Sequence, residues 1–587
     1  MRISVVAAGV VVCGGVAGCG ITERAVDDTP PPAVAECNSW RQWGNNAAHD
    51  GASCVTGQPL HGMLSDMVYD PFLAQEVADA RGDLLVHYQA PLIDGDDVYM
   101  MTKHGEYTPC HAGADGPACF EADERYRLRS QIWAEQRFAI RGDGVLVLAW
   151  SFDSDWKPEP QIGFEPLFQP ALAGALIAIP GAGGALWELD RMSGAVVRHV
   201  QPFGAAVDPD TYVAGGVAVG PDGTIYYNAI KLDHDQPLDL ASQAWLVAVA
   251  PDGSARTADY ADLVQGAPAA DDRCIRTYPL QTPLPWPPIP PRAAPRGPCG
   301  PQRPGINATP AIAADGTIFT VSRAHYNPRY AYVVAISADL TPRWATSLRD
   351  HLDDGCGVTV PADATATDHP FHCRSGGPIG VERETGVAPA GQIEDASSSS
   401  PVALPDGGVV YGAYTGYNTA RGHLFKLDAS GAVTGTFDFG WDSTPAVIGG
   451  AADYRIVIKD NHYETDENDN QLGPFYITEL DAQLQPIWRF QSTNTFSCTR
   501  LPDATITCSD DHAGGFEWCI NAVAVDRDGT VYANSEDGNV YAIAADGTLR
   551  DWVFLDRAIG AAYTPIALDR RGRVFALNSG HLAVIGR

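Results

Sequence analysis

Asn521-Ala-Val-Ala-Val-Asp-Arg-Asp-Gly-Thr-Val-Tyr532 is an apolar run, an acidic turn with glycine, and a β-rich run closing on an aromatic ring. An Asp-Gly pair between two such runs marks a tight hairpin, because the turn needs the positive φ that glycine adopts without steric penalty. The same pattern returns at Gly216-Val-Ala-Val-Gly-Pro-Asp-Gly-Thr-Ile-Tyr226, Thr309-Pro-Ala-Ile-Ala-Ala-Asp-Gly-Thr-Ile-Phe319, Ser400-Pro-Val-Ala-Leu-Pro-Asp-Gly-Gly-Val-Val-Tyr411 and Thr564-Pro-Ile-Ala-Leu-Asp-Arg-Arg-Gly-Arg-Val-Phe575. In most copies a second hairpin follows, as at Trp245-Leu-Val-Ala-Val-Ala-Pro-Asp-Gly253 and Val540-Tyr-Ala-Ile-Ala-Ala-Asp-Gly547. Two hairpins make four antiparallel strands. The interval from Pro401 to Pro445 is 44 residues and from Val523 to Pro565 it is 42, near the roughly 40 to 50 residues of a propeller blade.

First hairpins begin near Pro91, Pro170, Val217, Pro310, Pro401, Pro445, Val523 and Pro565, which counts eight blades, with seven as the alternative. The expected fold is all-β: a single β-propeller of about eight four-stranded antiparallel blades, with disulfide-stapled loop inserts on one face. The last copy ends after Leu582-Ala-Val-Ile585 and lacks an outer strand. A segment from before residue 90, with Leu84-Leu-Val-His-Tyr88 as the expected one, should supply it and remove the exposed sheet edge.

Leu186-Trp-Glu-Leu-Asp-Arg-Met-Ser-Gly194 and Asp537-Gly-Asn-Val-Tyr-Ala-Ile543 resemble the pyrroloquinoline-quinone-type (quinoprotein-like) propeller repeat. Trp40-Arg-Gln-Trp-Gly-Asn-Asn-Ala-Ala-His-Asp-Gly51 is similar to the segment that opens such propellers. The resemblance covers most of residues 37–587. It speaks to fold, since the repeat serves enzymes, scaffolds and binding proteins alike.

The chain opens with Arg2 and an apolar run from Ile3 to Gly18, short for a membrane span. Val16-Ala-Gly-Cys19 resembles the bacterial lipoprotein signal, in which the Cys is lipidated; an ordinary secretory signal is the alternative. Residues 1–18 are then a signal peptide, 19–36 an acidic tether containing Asp27-Asp-Thr-Pro-Pro-Pro32, and 37–587 the propeller. Gly20, where an Asp would resemble an inner-membrane retention mark, favours a lipid anchor in the outer membrane, on either side of it. Of 13 cysteines, Cys13 and Cys19 fall in the leader region. The rest form local sets without any CxxC: Cys37 with Cys54, Cys110 with Cys119, Cys274 with Cys299, Cys356 with Cys373, and a triple of Cys498, Cys508 and Cys519 whose pairing the spacing leaves open. Disulfides in an oxidising compartment are the reading.

The turns of one face are tight, whereas the other carries the elaborations at Lys103 to Ala122, Lys231 to Ser242, Ala261 to Gly305, Leu348 to Ser398, Lys459 to Gly473 and Gln491 to Ile520. A rigid scaffold with loops built up on one side presents a binding surface there; the alternative is inserts that merely cap the channel. Several second strands end in a basic residue followed closely by His: Lys103 and His104, Lys231 and His234, Arg323 and His325 with Tyr326, Lys459 and His462 with Tyr463. Brought together, these would form a collar suited to an anionic or carbohydrate ligand; chance loop composition is the alternative. Asp466, Asn468 and Asn470 have the spacing of a calcium loop, yet Gln471 stands where such a loop needs Gly. Ser397-Ser-Ser-Ser400 lacks a nucleophile-elbow context, and no catalytic residue is assigned. The formal net charge of −33, from 39 basic and 72 acidic residues, opposes nucleic-acid binding.

Three functions remain. The first is a noncatalytic, monomeric, lipid-anchored binding or scaffold protein for a protein or glycan, with no cofactor. The second is a dehydrogenase resembling the quinoproteins that use pyrroloquinoline quinone and calcium, although the adjacent cysteine pair and the haem motif are missing from this sequence. The third is a subunit resembling the propeller lipoprotein of outer-membrane β-barrel assembly.

Overall fold

The computed structural model of the chain describes residues 39–79, 86–108, 130–158, 164–233, 241–279, 287–356, 373–374, 376–465, 471–560 and 564–587. They form eight four-stranded antiparallel blades, written here from inner to outer strand. Blade 1 is Leu92–Asp94, Asp97–Gly105, Gln131–Ile140 and Leu146–Asp153, with Ser39–Trp40 added inside it; blade 2 is Ala171–Ala173, Leu176–Pro180, Leu186–Asp190 and Val196–Val200. Blade 3 is Thr211–Val219, Ile225–Leu232, Ala241–Val249 and Ala255–Asp259; blade 4 is Ala311–Ile312, Ile318–Ala324, Asn327–Ile336 and Pro342–Ser347. Blade 5 is Val402–Ala403, Val409–Tyr414, Gly422–Leu427 and Val433–Phe437; blade 6 is Ala446–Ile448, Arg455–Thr465, Gln471–Leu480 and Pro486–Gln491. Blade 7 is Ala524–Val525, Val531–Asn534, Asn539–Ile543 and Leu549–Phe554; blade 8 is Ala567–Leu568, Val574–Asn578, His581–Ile585 and Met63–Val68.

The hairpins form where the Asp-Gly pairs fall, and the side chains show why. In the blade 4 turn Asp315 accepts from the Thr317 backbone N–H at 2.9 Å, while Gly316 takes φ of 84°. The second strands are buried on both faces because neighbouring blades pack against them, so Ile318–Ala324 is buried throughout. The outer strands meet solvent on one side and alternate, as in Pro486–Gln491.

Closure of the ring corrects one expectation. The outer strand of blade 8 does come from before residue 90, but it is Met63–Val68, with Met67 opposite Leu582 and Val68 opposite His581. Val86 instead forms an isolated bridge with Glu165, and His87 and Tyr88 are buried. An outer strand must tolerate water on one face. Met63-Leu-Ser-Asp-Met-Val68 alternates accordingly, whereas the run entering Val86 is apolar at successive positions.

The segment from Arg41 to Gln58 has a second task. It crosses the channel end on the tight-turn face and hydrogen-bonds the inner strands of successive blades. Leu172 N–H donates to the Arg41 carbonyl at 2.8 Å, Ile312 to Ala47 at 2.6 Å, Ala403 to Ala48 at 3.0 Å, Val447 to Asp50 at 2.7 Å and Val525 to Gly51 at 2.9 Å. Trp43 and His49 are completely buried in this plug; Trp43 Nε1–H donates to Thr444 Oγ1 at 3.3 Å, and His49 Nδ1 donates to the Pro401 carbonyl at 2.9 Å.

Two outcomes follow from the plug. Trp43→Ala removes a fully enclosed indole and is expected to cost about 3–5 kcal/mol of stability, read as a lower urea midpoint. Burial pushes the His49 pKa down to about 4 from its usual 6.5. The folded protein thus binds this proton less well than the unfolded chain. The stabilisation, about 3 kcal/mol, is complete above pH 6.5 and is lost as pH falls toward 4. His49→Gln should therefore flatten the pH dependence of the melting temperature in that window while leaving the carboxylate-driven loss below it.

Candidate functional site

Connections between the second and third strands, and between blades, all emerge on the face opposite the plug. Among the described residues three disulfides staple inserts there: Cys274 with Cys299, Cys356 with Cys373, and Cys498 with Cys508, which settles the pairing within the triple. Cys519 stays a thiol and hydrogen-bonds Glu536. Cys54 is disulfide-bonded. Cys19, Cys37, Cys110, Cys119, His234, Asp466, Asn468 and Asn470 lie outside the described residues.

The basic residues of the expected collar lie in separate clusters, and three of them are ion-paired. Lys103 is buried, with Nζ 2.8 Å from Asp70 Oδ2, 3.2 Å from Glu76 Oε1 and 2.5 Å from Glu165 Oε2. Burial opposes its charge, and the three carboxylates more than restore it, so its pKa is held above the ordinary value. His104 is exposed and meets Asp153 at 2.9 Å; Lys231 donates to Asp208 Oδ2 at 2.6 Å. Arg323 is buried and reaches Asp395 Oδ2 at 3.1 Å. Arg303, which the sequence pattern missed, grips both oxygens of Asp395 at 2.6 Å and donates through Nε to His325 Nδ1 at 2.8 Å. Tyr326 packs edge-on against the His325 ring. The Asp395 pKa, which burial would raise, is held well below the ordinary carboxylate range by the two guanidiniums.

On blade 6, Lys459 is buried, and its charge partly offsets the rise that burial imposes on the Glu536 pKa. His462 Nε2 meets Asp460 Oδ1 at 2.8 Å, and the Tyr463 hydroxyl donates to Glu517 Oε2 at 2.6 Å. Lys103, Lys231 and Arg323 thus each face a carboxylate of this chain, in separate clusters rather than one ring. Buried charge demands this, since an unpaired ion in the interior costs several kcal/mol.

Inside the channel a circuit of polar side chains ties neighbouring blades. Ala90 N–H donates to Gln169 Oε1 at 2.7 Å, Gly216 to Thr309 Oγ1 at 2.9 Å, Thr309 to Ser400 Oγ at 3.0 Å and Ser400 to Thr444 Oγ1 at 3.2 Å. Thr444 N–H then reaches the Asn521 carbonyl at 2.7 Å. Ser397-Ser-Ser-Ser400 belongs to this clasp. Asp442 Oδ1 accepts from Ser397 Oγ at 3.1 Å, Ser398 N–H at 3.0 Å and Asn521 Nδ2 at 2.9 Å. Asp442 Oδ2 is buried and has no hydrogen-bond partner among the described residues. His87 lies near Asp442; burial pushes its pKa down, and the Asp442 charge partly offsets this. A signal for these groups exists in the repeats: a carboxylate stands three to six residues ahead of the blade-opening proline at Glu165 and Pro170, Asp395 and Pro401, and Asp442 and Pro445.

No protein-family profile and no curated protein sequence matches the chain. Among solved structures the fold is similar to a europium-containing methanol dehydrogenase, with a TM-score of 0.50, 10% identity, and coverage of 92% of this chain and 89% of that one. It is also similar to the quinohemoprotein alcohol dehydrogenase of Comamonas testosteroni, at TM-score 0.48, 10% identity, and coverage of 94% and 81%. BamB of Moraxella catarrhalis gives TM-score 0.34 and 11% identity over 77% of this chain and 91% of that one. At such identities the likeness is one of fold alone, an eight-bladed propeller.

The fold raises the question of a quinone. Its carboxylates would need open cations, and Lys103, Lys231 and Arg323 face Asp70, Glu76, Glu165, Asp208 and Asp395 instead. Around Asp442, no set of three His, Cys, Asp or Glu side chains converges among the described residues. These three cations are committed within the chain and do not fit the carboxylates of the quinone.

Asp395 is the keystone of its cluster. Asp395→Ala strands two buried guanidiniums and is expected to cost about 3–5 kcal/mol, measured by urea unfolding at neutral pH, whereas Asp153→Ala beside exposed His104 should change stability by less than about 1 kcal/mol.

Proposed function

We propose that this protein is an exported, lipid-anchored propeller that binds a macromolecular partner, protein or glycan, through its insert-bearing face without catalysing a reaction. The observation that carries the reading is the pair of interlocked inserts over blade 4. Tyr278 N–H donates to the Glu384 carbonyl at 2.8 Å, Tyr278 OH to the Arg292 carbonyl at 2.6 Å, and Arg374 Nε to the Pro287 carbonyl at 2.5 Å. Arg329, from the blade itself, holds Glu382 at 2.8 Å and also Glu384. Each insert carries its own disulfide, so the pair is rigid before any ligand arrives.

At the surface of this pair Ile289 and Ile379 are each 75% exposed. Large apolar side chains held rigid and open suit burial against a partner surface, and the polar groups beneath them are already satisfied by one another. A protein partner is favoured over a glycan for that reason. The net charge of −33 disfavours nucleic acid and strongly acidic partners. Export and anchoring are supported by the lipoprotein-like Val16-Ala-Gly-Cys19 and by the disulfides.

Residues 37–587 can be assayed against envelope proteins and a glycan array in parallel with added pyrroloquinoline quinone and calcium. Ile289→Asp and Ile379→Asp are expected to abolish partner binding while leaving the melting temperature within about 1 °C of the parent, because surface changes seldom exceed ±0.5 kcal/mol. Retention of the quinone through gel filtration, with alcohol-dependent dye reduction, would overturn the reading in favour of a dehydrogenase.

A further inference from the structure

We infer that Asp354, His423 and Asp438 form a site for one divalent transition-metal ion, clipping the insert after blade 4 to the insert-bearing end of blade 5. The inference is independent of the partner-binding reading. The three residues come from separate places in the chain: Asp354 from the insert, His423 from the second position of Gly422–Leu427, and Asp438 from directly after Val433–Phe437. One donor atom from each lies within 4.8 Å of the others, and among the described residues no other set of three converges in this way.

The separations suit a shared ion. His423 Nε2 is 2.8 Å from Asp354 Oδ2 and 3.5 Å from Asp438 Oδ1. Two ligands each about 2.1 Å from a metal lie about 3.0 Å apart at a right angle and about 3.4 Å apart at the tetrahedral angle. Small side-chain adjustments therefore admit the ion without moving the backbone.

The hydrogen-bond chain behind the imidazole points the same way. The Thr415 hydroxyl has one proton and donates it to Asn418 Oδ1 at 3.1 Å. The Thr415 oxygen lies 3.0 Å from His423 Nδ1 and can accept a ring proton there, while Asn418 Nδ2 lies farther from Nδ1 at 3.5 Å. Asn418 cannot reverse its amide, because Nδ2 donates to the Gly422 carbonyl at 3.1 Å and to Asp438 Oδ1 at 2.5 Å. With the ring proton on Nδ1, His423, 3% exposed, aims the Nε2 lone pair at two carboxylate oxygens. A metal ion or a proton on Nε2 must then lie between the three atoms. Outer donors that fix ring tautomer and carboxylate orientation are the usual support of a metal ligand, and the Tyr417 hydroxyl does the same for Asp354 Oδ1 at 2.9 Å.

Two carboxylates and a neutral imidazole balance a dipositive ion to a net charge of zero. The nitrogen donor favours zinc, manganese, cobalt or nickel over calcium or magnesium. The Asp438 side chain is 42% exposed, so the ion would keep positions open to solvent. The competing description is a proton on Nε2, an imidazolium held by two aspartates. The groups that face it, besides these aspartates, are Tyr417 and the more distant His462.

The experiment is calorimetric titration of EDTA-treated residues 37–587 with zinc chloride and, separately, manganese chloride. One equivalent is expected to bind and to raise the melting temperature. Thr415→Val should weaken binding roughly 10- to 100-fold, and His423→Ala should abolish it. Should His423→Ala fail to fold, Asp438→Asn serves instead, since its side chain is partly exposed; loss of the stoichiometric isotherm is again expected. Cobalt in place of zinc gives a visible ligand-field spectrum that the same variants should remove. Absence of stoichiometric binding in the folded parent, or binding unchanged in Asp438→Asn and Thr415→Val, would overturn the metal site and leave the imidazolium pair.

Discussion

A propeller is stable only if its sheets form a closed circuit, because any break leaves a strand edge with unpaired N–H and C=O groups. Two devices close this one. Met63–Val68 pairs with His581–Ile585 and joins the start of the propeller to its end. Within the channel, Gln169, Thr309, Ser400 and Thr444 link blade 1 to 2, 3 to 4, 4 to 5 and 5 to 6 by side-chain hydrogen bonds. Each such bond contributes on the order of 1 kcal/mol. Their larger role is to set the rotation between blades, on which the positions of all the inserts depend.

Charge at the built-up face follows from the same closure. The inter-blade connections carry Glu165, the largely enclosed Asp395 and Asp442 inward, where water screens them little. Lys103, Arg303 and Arg323 neutralise the first two. Asp442 is instead held by neutral donors from Ser397, Ser398 and Asn521. The rim is thereby rigid and largely self-satisfied. Glu135, buried with the amide of Gln89 on one oxygen, shows the cost of a carboxylate without a cation: burial pushes its pKa up to about 8.

The inserts differ from the blades in what holds them. A blade rests on its neighbours over two whole faces, as in the cluster of Phe319, Val333, Tyr411 and Phe425 between blades 4 and 5. An insert has no such partner sheet. It depends instead on a disulfide and on a few directed contacts such as Arg329 with Glu382. Variation can accumulate there without disturbing the ring, which is why binding surfaces of this fold are free to diverge.

The blade count, the tight face, the built-up face and the Cys274–Cys299 and Cys356–Cys373 pairs were legible in the sequence, because hairpin chemistry and short cysteine spacings are local. The expected closing strand at Leu84 to Tyr88 was displaced to Met63–Val68, since the choice depends on which segment meets water on one face, a property of the assembled ring. The collar residues were identified, but their charge state was not. Lys103 meets Glu165 across 62 positions of chain, and Arg303 meets Asp395 across 92. The convergence of Asp354 on His423, 69 positions away, has no local signature either. Periodicity and turn chemistry act over a few residues and determined the architecture; ion pairing and ligand convergence act through space, and only the closed ring decided them.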